Sequence, residues 1–450
     1  MKKYLGKLIP ILCLLPLVVG AIGYSLSGDF ITDALYASFA LYFTNPISDA
    51  YNGFIEFARW TAPLVTATAV LCILQNVWKN MRWKFAGLSK DSVAVYADED
   101  IRIEFDKGTK AVYPGEEFKG YFKSHIIFFS SDQKSLRFYE KHKNNLKGRK
   151  VYIGLRELEQ GLIRDVTDVT LFDINTAVSR QLWKNIHLWK SDKAESEVVI
   201  YGNSALAAEI LCTGLQLNLF SKKQHIKYHL ISNNHYFQIK HQDISLMNED
   251  EIFYHEMNEQ TIWYTIENAD FVIVADEIQT DLLQTIVVKA KKGTIYYYSP
   301  AEGDAGEYIS FRKLIPFGRN KELFTDENIR NQNLIRTAIA LNEQYAKEYN
   351  GEKEWNKLSG FLKCSNISSA DFQEVLAALP QSMGDMELAE LEHIRWCRFH
   401  FLNYWEEGDL ADGMRKNNEK RFHKDLVPFY RLGDDEKKKD LDVVKMARRN

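Results

Sequence analysis

Glu392, Arg395, Trp396 and Phe399 follow one another at steps of one, three or four residues, so on a helix they cluster on one side. His393 borders that row. A surface that combines tryptophan, guanidinium, imidazole and carboxylate can sandwich a planar base and pair its phosphate. Stacking a base on an aromatic ring is worth ~1–3 kcal/mol, and a guanidinium can hold a phosphate through two parallel hydrogen bonds. The same residues also suit a packed helix, with Trp396 in a core and Glu392 and Arg395 as a surface ion pair. Chemistry alone favours that second reading. For acid–base work the best pair is Glu392 and His393, but adjacent helical positions point apart. No Ser/His/Asp, Cys/His or metal-spaced set stands out, so enzymatic activity is not expected. The five cysteines, Cys13, Cys72, Cys212, Cys364 and Cys397, are far apart and form no CxxC, which argues against a disulfide framework or zinc site and for a reduced compartment.

A second chemical signal is the run Gly202-Asn-Ser-Ala-Leu-Ala207 after an apolar segment. It is like a G-x-G-x-x-G phosphate turn with only Gly202 kept, while Ser204 and Ala207 are small enough for helix–strand packing. The next strand ends in Ser232, Asn233 and Asn234, so the usual ribose-binding acid is missing. Either a dinucleotide binds at Gly202, Ser204 and Ala207, or this is a nucleotide fold that has lost its ligand. The turn after the first strand, Tyr96-Ala-Asp-Glu-Asp100, is acidic and glycine-free and repels phosphate, so that lobe reads as structural.

The elements behind these signals are two α/β lobes. Strands are expected at Ser92–Ala97, Ala111–Tyr113, His125–Ser130 and Lys150–Ile153, with a helix at Gln133–Lys147. A second set comprises strands Val198–Tyr201, His225–Ile231, Asp270–Ala275 and Thr294–Tyr298, with helices from Gly202 to about Gly214 and over Asp281–Lys291. Apolar strands between helices imply parallel sheets covered on both faces. Asp326–Asn350 reads as a helix capped by Gly351, which leads into a last, helical domain.

The N-terminal end is different. Residues 8–28 and 60–78 carry no charge, and each can cover a ~30 Å hydrocarbon core as a helix. Lys2, Lys3 and Lys7 precede the first span, and Lys79, Arg82 and Lys84 follow the second. The loop between holds Asp29, Asp33, Asp49 and Glu56, with Arg59 at its end. The positive-inside rule places both termini in the cytoplasm of a multi-pass inner-membrane protein. A signal peptide is the competing reading of the first span, and the second would then remain as a single anchor. Between the spans, Asp33–Phe43 is an apolar helical stretch too short to cross. It is either a re-entrant pore helix or a helix on the outer interface. The potassium-filter run TVGYG is absent, and Thr44, Asn45 and Asp49 are the candidate pore residues. The net charge of −4 over 450 residues argues against binding a nucleic-acid polymer.

The C-terminal runs WNKL (355–358), LAELEHIRW (388–396), Trp405 with Gly408, and HKDLVPF (423–429) with EKKKD (436–440) resemble the ryanodine-receptor-type (RyR) domain in its bacterial form. The span ARWTAPLVTATAVL (58–71) and the two lobes resemble bacterial membrane proteins that combine a two-helix channel-like N-terminus with TrkA-N/RCK-like Rossmann domains. Tyr404, where that family has a small residue, and the polar stretch Asp409–Lys420 depart from the pattern. The resemblance implies a membrane α-helical hairpin (1–84), a degenerate Rossmann-like lobe (85–190), a second Rossmann-like lobe (191–350) and an all-α RyR-type domain (351–450). It implies ligand binding by Glu392, His393, Arg395, Trp396, Trp405, His423 and Tyr430, with Pro428 also matching. The ligand would be a nucleotide or nucleotide-derived second messenger. The expected function is a nucleotide-gated membrane effector or ion channel-like protein of bacterial antiviral defence. It would be a homo-oligomer in the lipid bilayer, by analogy a tetramer. The alternative is a membrane-tethered regulatory subunit of a transport system without its own pore.

Overall fold

The computed structural model describes residues 2–98, 101–158, 169–190, 194–242, 244–303, 305–309, 314–331, 333–408, 410 and 414–449, with side chains of the first helix from Cys13 onward. The chain divides into two compact units, residues 1–89 and 90–450.

The first unit holds α1 (Lys2–Leu26), α2 (Ile31–Ala40) with a further tight turn over Leu41–Phe43, and α3 (Gly53–Gly87). Among the described residues, α3 is the one helix long and apolar enough, by length and composition, to cross a membrane. Its side chains Leu64, Leu71, Ile73 and Leu74 are more than half exposed, as a lipid-facing or partner-facing surface would be. The expected first span, residues 8–28, lies partly outside the described side chains. Asn52 caps α3 by accepting from the Phe54 and Ile55 N–H groups, and its Nδ2 donates to Gly23 O at 2.7 Å and Ser27 Oγ at 3.0 Å. Small residues let the backbones approach. A Cβ on Gly20 would stand 2.8 Å from Ser38 Oγ and 3.1 Å from Ala58 Cβ. Tyr42 Oη closes the bundle by donating to Cys13 O at 2.5 Å.

The second unit opens with a five-stranded parallel sheet: β1 (Ser92–Tyr96), β2 (Lys110–Val112), β3 (Ser124–Ile127), β4 (Lys150–Leu155) and β5 (Val169–Asp173), with α4 (Asp132–Leu146) between β3 and β4 and α5 (Ile174–Ile186) after β5. The strand order is β2-β1-β3-β4-β5. A six-stranded parallel sheet follows. Its elements are β6 (Glu195–Tyr201), α6 (Ala205–Leu217), β7 (His225–Ile231), α7 (Tyr236–Lys240), β8 (Glu251–His255), α8 (Ile262–Asn268), β9 (Phe271–Val274), α9 (Thr280–Lys289), β10 (Thr294–Tyr298) and β11 (Leu314–Phe317). Read from the β8 edge, its order is β8-β7-β6-β9-β10-β11, the doubly wound 3-2-1-4-5-6 arrangement. The two α/β regions expected from the sequence are therefore present.

Successive residues of β6 enter different cores: Val198 and Ile200 on one face, Val199 and Tyr201 on the other. The first of these cores runs on without interruption into the first sheet (Val93, Ile126, Phe172) and the C-terminal helices (Phe372, Leu388, Val444). Those helices are α10 (Asn320–Leu323), α11 (Asn333–Tyr349), α12 (Gly360–Ala378), α13 (Asp385–Leu402) and α14 (Asp434–Ala447). The helix expected from Asp326 begins as a π turn over Glu327–Asn331, and it ends at Asn350, whose φ of 54° makes it, rather than Gly351, the left-handed residue.

Candidate ligand site

The expected open face on α13 is corrected by the structure. Glu392 and Arg395 are 2% and 1% exposed. Arg395 donates from Nε and Nη2 to the two Glu392 oxygens at 2.7 and 2.8 Å, and from Nη1 to Ser368 Oγ at 2.7 Å. Ser369 Oγ donates to Glu392 Oε1 at 3.0 Å. The guanidinium fork is spent on its own helix and on α12, so it is not open to a phosphate. Neither a ligand surface nor an exposed ion pair describes it.

His393, Trp396, Trp405 and His423 do come together, but as a ring cluster around His400. Trp396 lies 4.0 Å from His400 and 5.0 Å from His423, centroid to centroid. Burial pushes His400 down to about 3 and His423 down to about 4, so both are neutral packing groups at physiological pH. Tyr430 is separate and exposed. His393 places Nε2 at 2.8 Å from Val427 O and Nδ1 at 3.3 Å from Asp440. Two acceptors make it an imidazolium: burial opposes the charge, but Asp440 and Cys397 hold it up to about 11. Cys397 Sγ, one turn along α13, lies 3.4 Å from His393 Nε2, and with Asp440 of α14 this makes a Cys–His–Asp grouping that the sequence reading did not detect. Cys397 is fully buried and its thiol is pushed up by that burial, so no substrate reaches it.

A separate opening lies elsewhere in the second unit. A cavity of about 780 Å³ is walled by the β5–α5 segment of the first sheet, the β6–α6 and β7–α7 segments of the second, and α11, α12 and α13. Gly202, Ser204 and Ala207 line it. Glu392, His393, Arg395, Trp396, Trp405, His423 and Tyr430 do not. The π turn contributes Glu327 and Asn328 to its wall.

The phosphate turn beside it is already filled. Asp276, just after β9, accepts from Asn203 N at 2.6 Å and Ser204 N at 3.2 Å. A Cβ on Gly202 would lie 2.9 Å from Asp276 Oδ1, so the glycine is needed for this carboxylate. Asn203 ties the turn to the end of β7 by accepting from Ser232 Oγ at 3.1 Å and Asn233 N at 2.8 Å. A pyrophosphate at Gly202, Ser204 and Ala207 would meet a carboxylate holding its N–H groups, which favours the second of the two readings of this turn, a nucleotide fold that has lost its ligand. The first sheet repeats the device. Asp98 after β1 accepts from Ser130 N and Oγ at 2.7 Å and from Lys134 Nζ at 2.9 Å. Against its own desolvation, these donors pull Asp98 down to about 2.

The cavity's chemistry comes from residues the sequence reading passed over. Asp173 caps α5, accepting from Thr176 N at 2.9 Å. Arg180 and Lys184 on α5 reach across to Asp371 on α12, and Lys184 also to Glu374. Glu209 on α6 accepts from Thr176 Oγ1 at 3.0 Å and Thr213 Oγ1 at 3.1 Å. Burial raises Asp173 to about 6 and, with Asp173 as neighbour, Glu209 to about 8. The signal for Glu209 was present: it is the one acid in the otherwise uncharged helix ALAAEILCTGL.

In the first unit, Thr44, Asn45 and Asp49 are exposed in the irregular segment after α2. Thr44 is left-handed, with φ 57°. Arg59 Nη2 holds the segment by donating to Ser48 O at 3.3 Å and Ala50 O at 3.4 Å. No protein-family model, no curated protein and no solved structure matches this chain. No group of three His, Cys, Asp or Glu that could hold a metal occurs among the described residues.

Proposed function

We propose that this chain is a membrane effector that senses a small nucleotide-type ligand in the cavity of its second unit and passes occupancy to its apolar helices. The observation that carries the reading is the cavity of about 780 Å³ shared by both sheets and the C-terminal helices. That volume lies in the range of small-molecule sites, ~300–1,000 Å³. A ligand touching several elements at once can favour one of their arrangements by its differential affinity. The chain runs from α3 into β1 through only Leu88–Asp91, which is a short covalent path for a signal. The cations Lys79, Arg82 and Lys84 near that junction agree with a cytoplasmic sensor on an inner membrane. One or two helices cannot enclose a pore, so ion conduction requires a homo-oligomer, a tetramer by analogy with two-helix channels. A place in nucleotide-signalled antiviral defence follows from the RyR-type resemblance.

The test is reconstitution of the full chain in liposomes, with linear and cyclic nucleotides and NAD derivatives added in turn. Ligand-dependent cation flux is the expected result, and the active compound should also raise the melting temperature. A melting shift without flux would favour the pore-less regulatory subunit. If no compound produces either effect, the reading fails.

A further inference from the structure

Glu209 lines the cavity with its two oxygens in different situations. Oε1 accepts both threonine hydroxyls, from Thr176 at 3.0 Å and Thr213 at 3.1 Å. Two donors on one oxygen suit the carbonyl oxygen of a carboxylic acid. Oε2 has no hydrogen-bond partner among the described residues, and Glu209 lines the open space. The threonines come from different lobes, Thr176 from α5 and Thr213 from α6, so this carboxyl is oriented only when the two lobes are together.

The groups facing Glu209 are Asp173 and Arg180 from the β5–α5 segment and Cys364 from α12. Burial and the Asp173 carboxyl hold Glu209 at about 8, while the two threonines and Arg180 act in the opposite direction. The Cys364 thiol, raised to about 12 by burial and by both acids, stays neutral. At neutral pH the acid therefore keeps its proton, and Oε2–H is a donor available to whatever fills the cavity. Asp173 nearby disfavours an anionic acceptor such as a phosphate oxygen. A neutral ring nitrogen or carbonyl oxygen suits the position better. Phe237 and Phe399 add aromatic surface to the cavity lining, and Arg156 and Lys240 add positive charge for the anionic part of a nucleotide.

We propose that Glu209 in its acid form donates the Oε2 hydrogen bond to an uncharged acceptor atom on the base of a bound nucleotide. This inference rests on the ligand-sensing reading above and assigns the ligand's orientation within it. Its consequence is an affinity that falls by about tenfold for each pH unit above 8. A Glu209 that instead bound a cation would show the opposite trend.

The experiment is calorimetric titration of the detergent-purified full chain with AMP, CMP, GMP, UMP and NAD at pH 6.5 and pH 9.5. Glu209→Gln is titrated in parallel, because its amide can keep the threonine contacts and donate a hydrogen bond without titrating. Wild-type protein is expected to lose affinity more than tenfold between the two pH values, whereas E209Q should bind at both with less than a threefold difference. Thr213→Val, which removes one orienting donor, should weaken binding at pH 6.5 several-fold while lowering the melting temperature by no more than about 3 °C. Binding that is equally pH-dependent in E209Q, or that strengthens as pH rises, would overturn the assignment of Glu209 while leaving the sensor reading in place. Absence of binding by every probe at both pH values would overturn the sensor reading as well.

Discussion

Arg398 is the test of how the C-terminal helices are fixed to the second sheet. Its side chain is 0% exposed, and so is that of Asp250, its ionic partner. It donates to Leu246 O at 2.8 Å, Leu215 O at 2.8 Å, Asn248 Oδ1 at 2.6 Å and Asp250 Oδ2 at 2.8 Å. Four acceptors on the second lobe thus converge on one side chain of α13. The next residues of that helix, Phe399, Leu402 and Asn403, line the cavity. Arg398→Ala removes one member of a buried ion pair and leaves two backbone carbonyls unpaired, at a cost of about 3–5 kcal/mol. Asp250 keeps donors from Gln224 Nε2 at 2.9 Å and Ile226 N at 2.8 Å, which holds the cost toward the lower end. At ~2 °C per kcal/mol for a unit of this size, the melting temperature should fall by roughly 6–10 °C. Arg398→Lys keeps the charge but not the fork, and should lose about half as much. The double variant R398M/D250N removes both charges and should recover part of the loss. Differential scanning fluorimetry on the full chain in detergent reads all of these. If Arg398→Ala and Arg398→Met both melt within a degree of wild type, the rivet does not exist as described.

Two other perturbations check separate regions. Gly20→Val puts a branched side chain where a Cβ would already stand 2.8 Å from Ser38 Oγ, so α1, α2 and α3 must separate. The expected cost is about 1–3 kcal/mol, seen as a lower unfolding temperature in detergent, while Val18→Leu on the exposed side should be neutral. His393 has its folded-state value raised from 6.5 to about 11, so its stabilising contribution is complete below 6.5 and is lost as pH rises toward 11. His393→Gln should therefore cost about 3 kcal/mol at pH 7.5, where Asp440, raised to about 6 by burial, is ionised, and its deficit relative to wild type should shrink steadily by pH 10 in urea titrations.

The parts of the fold that could be read from the sequence were those buried on both faces. The runs Val198–Tyr201 and Phe271–Val274 are apolar throughout because helices cover both sides of their sheet. The strands that escaped notice, β5, β8 and β11, are all at sheet edges. There the pattern is diluted by polar residues, as in Glu251–His255, or broken by a proline, Pro316, that an edge tolerates. Helical spacing correctly placed Glu392, Arg395 and Trp396 on α13. It could not say that Ser368 and Ser369 of α12 would close over that face, because spacing carries no information about which neighbour covers a helix. The cavity was the least legible feature. Asp276 meets Asn203 and Ser204 across more than seventy residues, and Glu209 meets Thr176 across a lobe boundary. Neither pairing leaves a local motif.

The two aspartates explain why the opening lies between lobes. In doubly wound sheets, ligands sit beyond the carboxyl ends of the strands where the strand order reverses. In the first sheet that point is between β1 and β3, and Asp98 fills it. In the second it is between β6 and β9, and Asp276 fills it. Each lobe thus has a carboxylate at its switch point, Asp98 held by Ser130 and Asp276 on the N–H groups of Asn203 and Ser204, where it would repel a phosphate. A ligand at either turn would in any case mostly stabilise a single lobe. The cavity differs because Thr176 and Arg180 belong to the first lobe, Glu209 and Thr213 to the second, and Asp371 to the helices. A ligand there changes the free energy of their mutual arrangement. A hundredfold preference for one arrangement would supply ~2.7 kcal/mol to drive a coupled element. On the sensor reading proposed above, recognition between lobes, with a carboxylate at both switch points, lets such a fold respond to a ligand by changing the arrangement of its lobes.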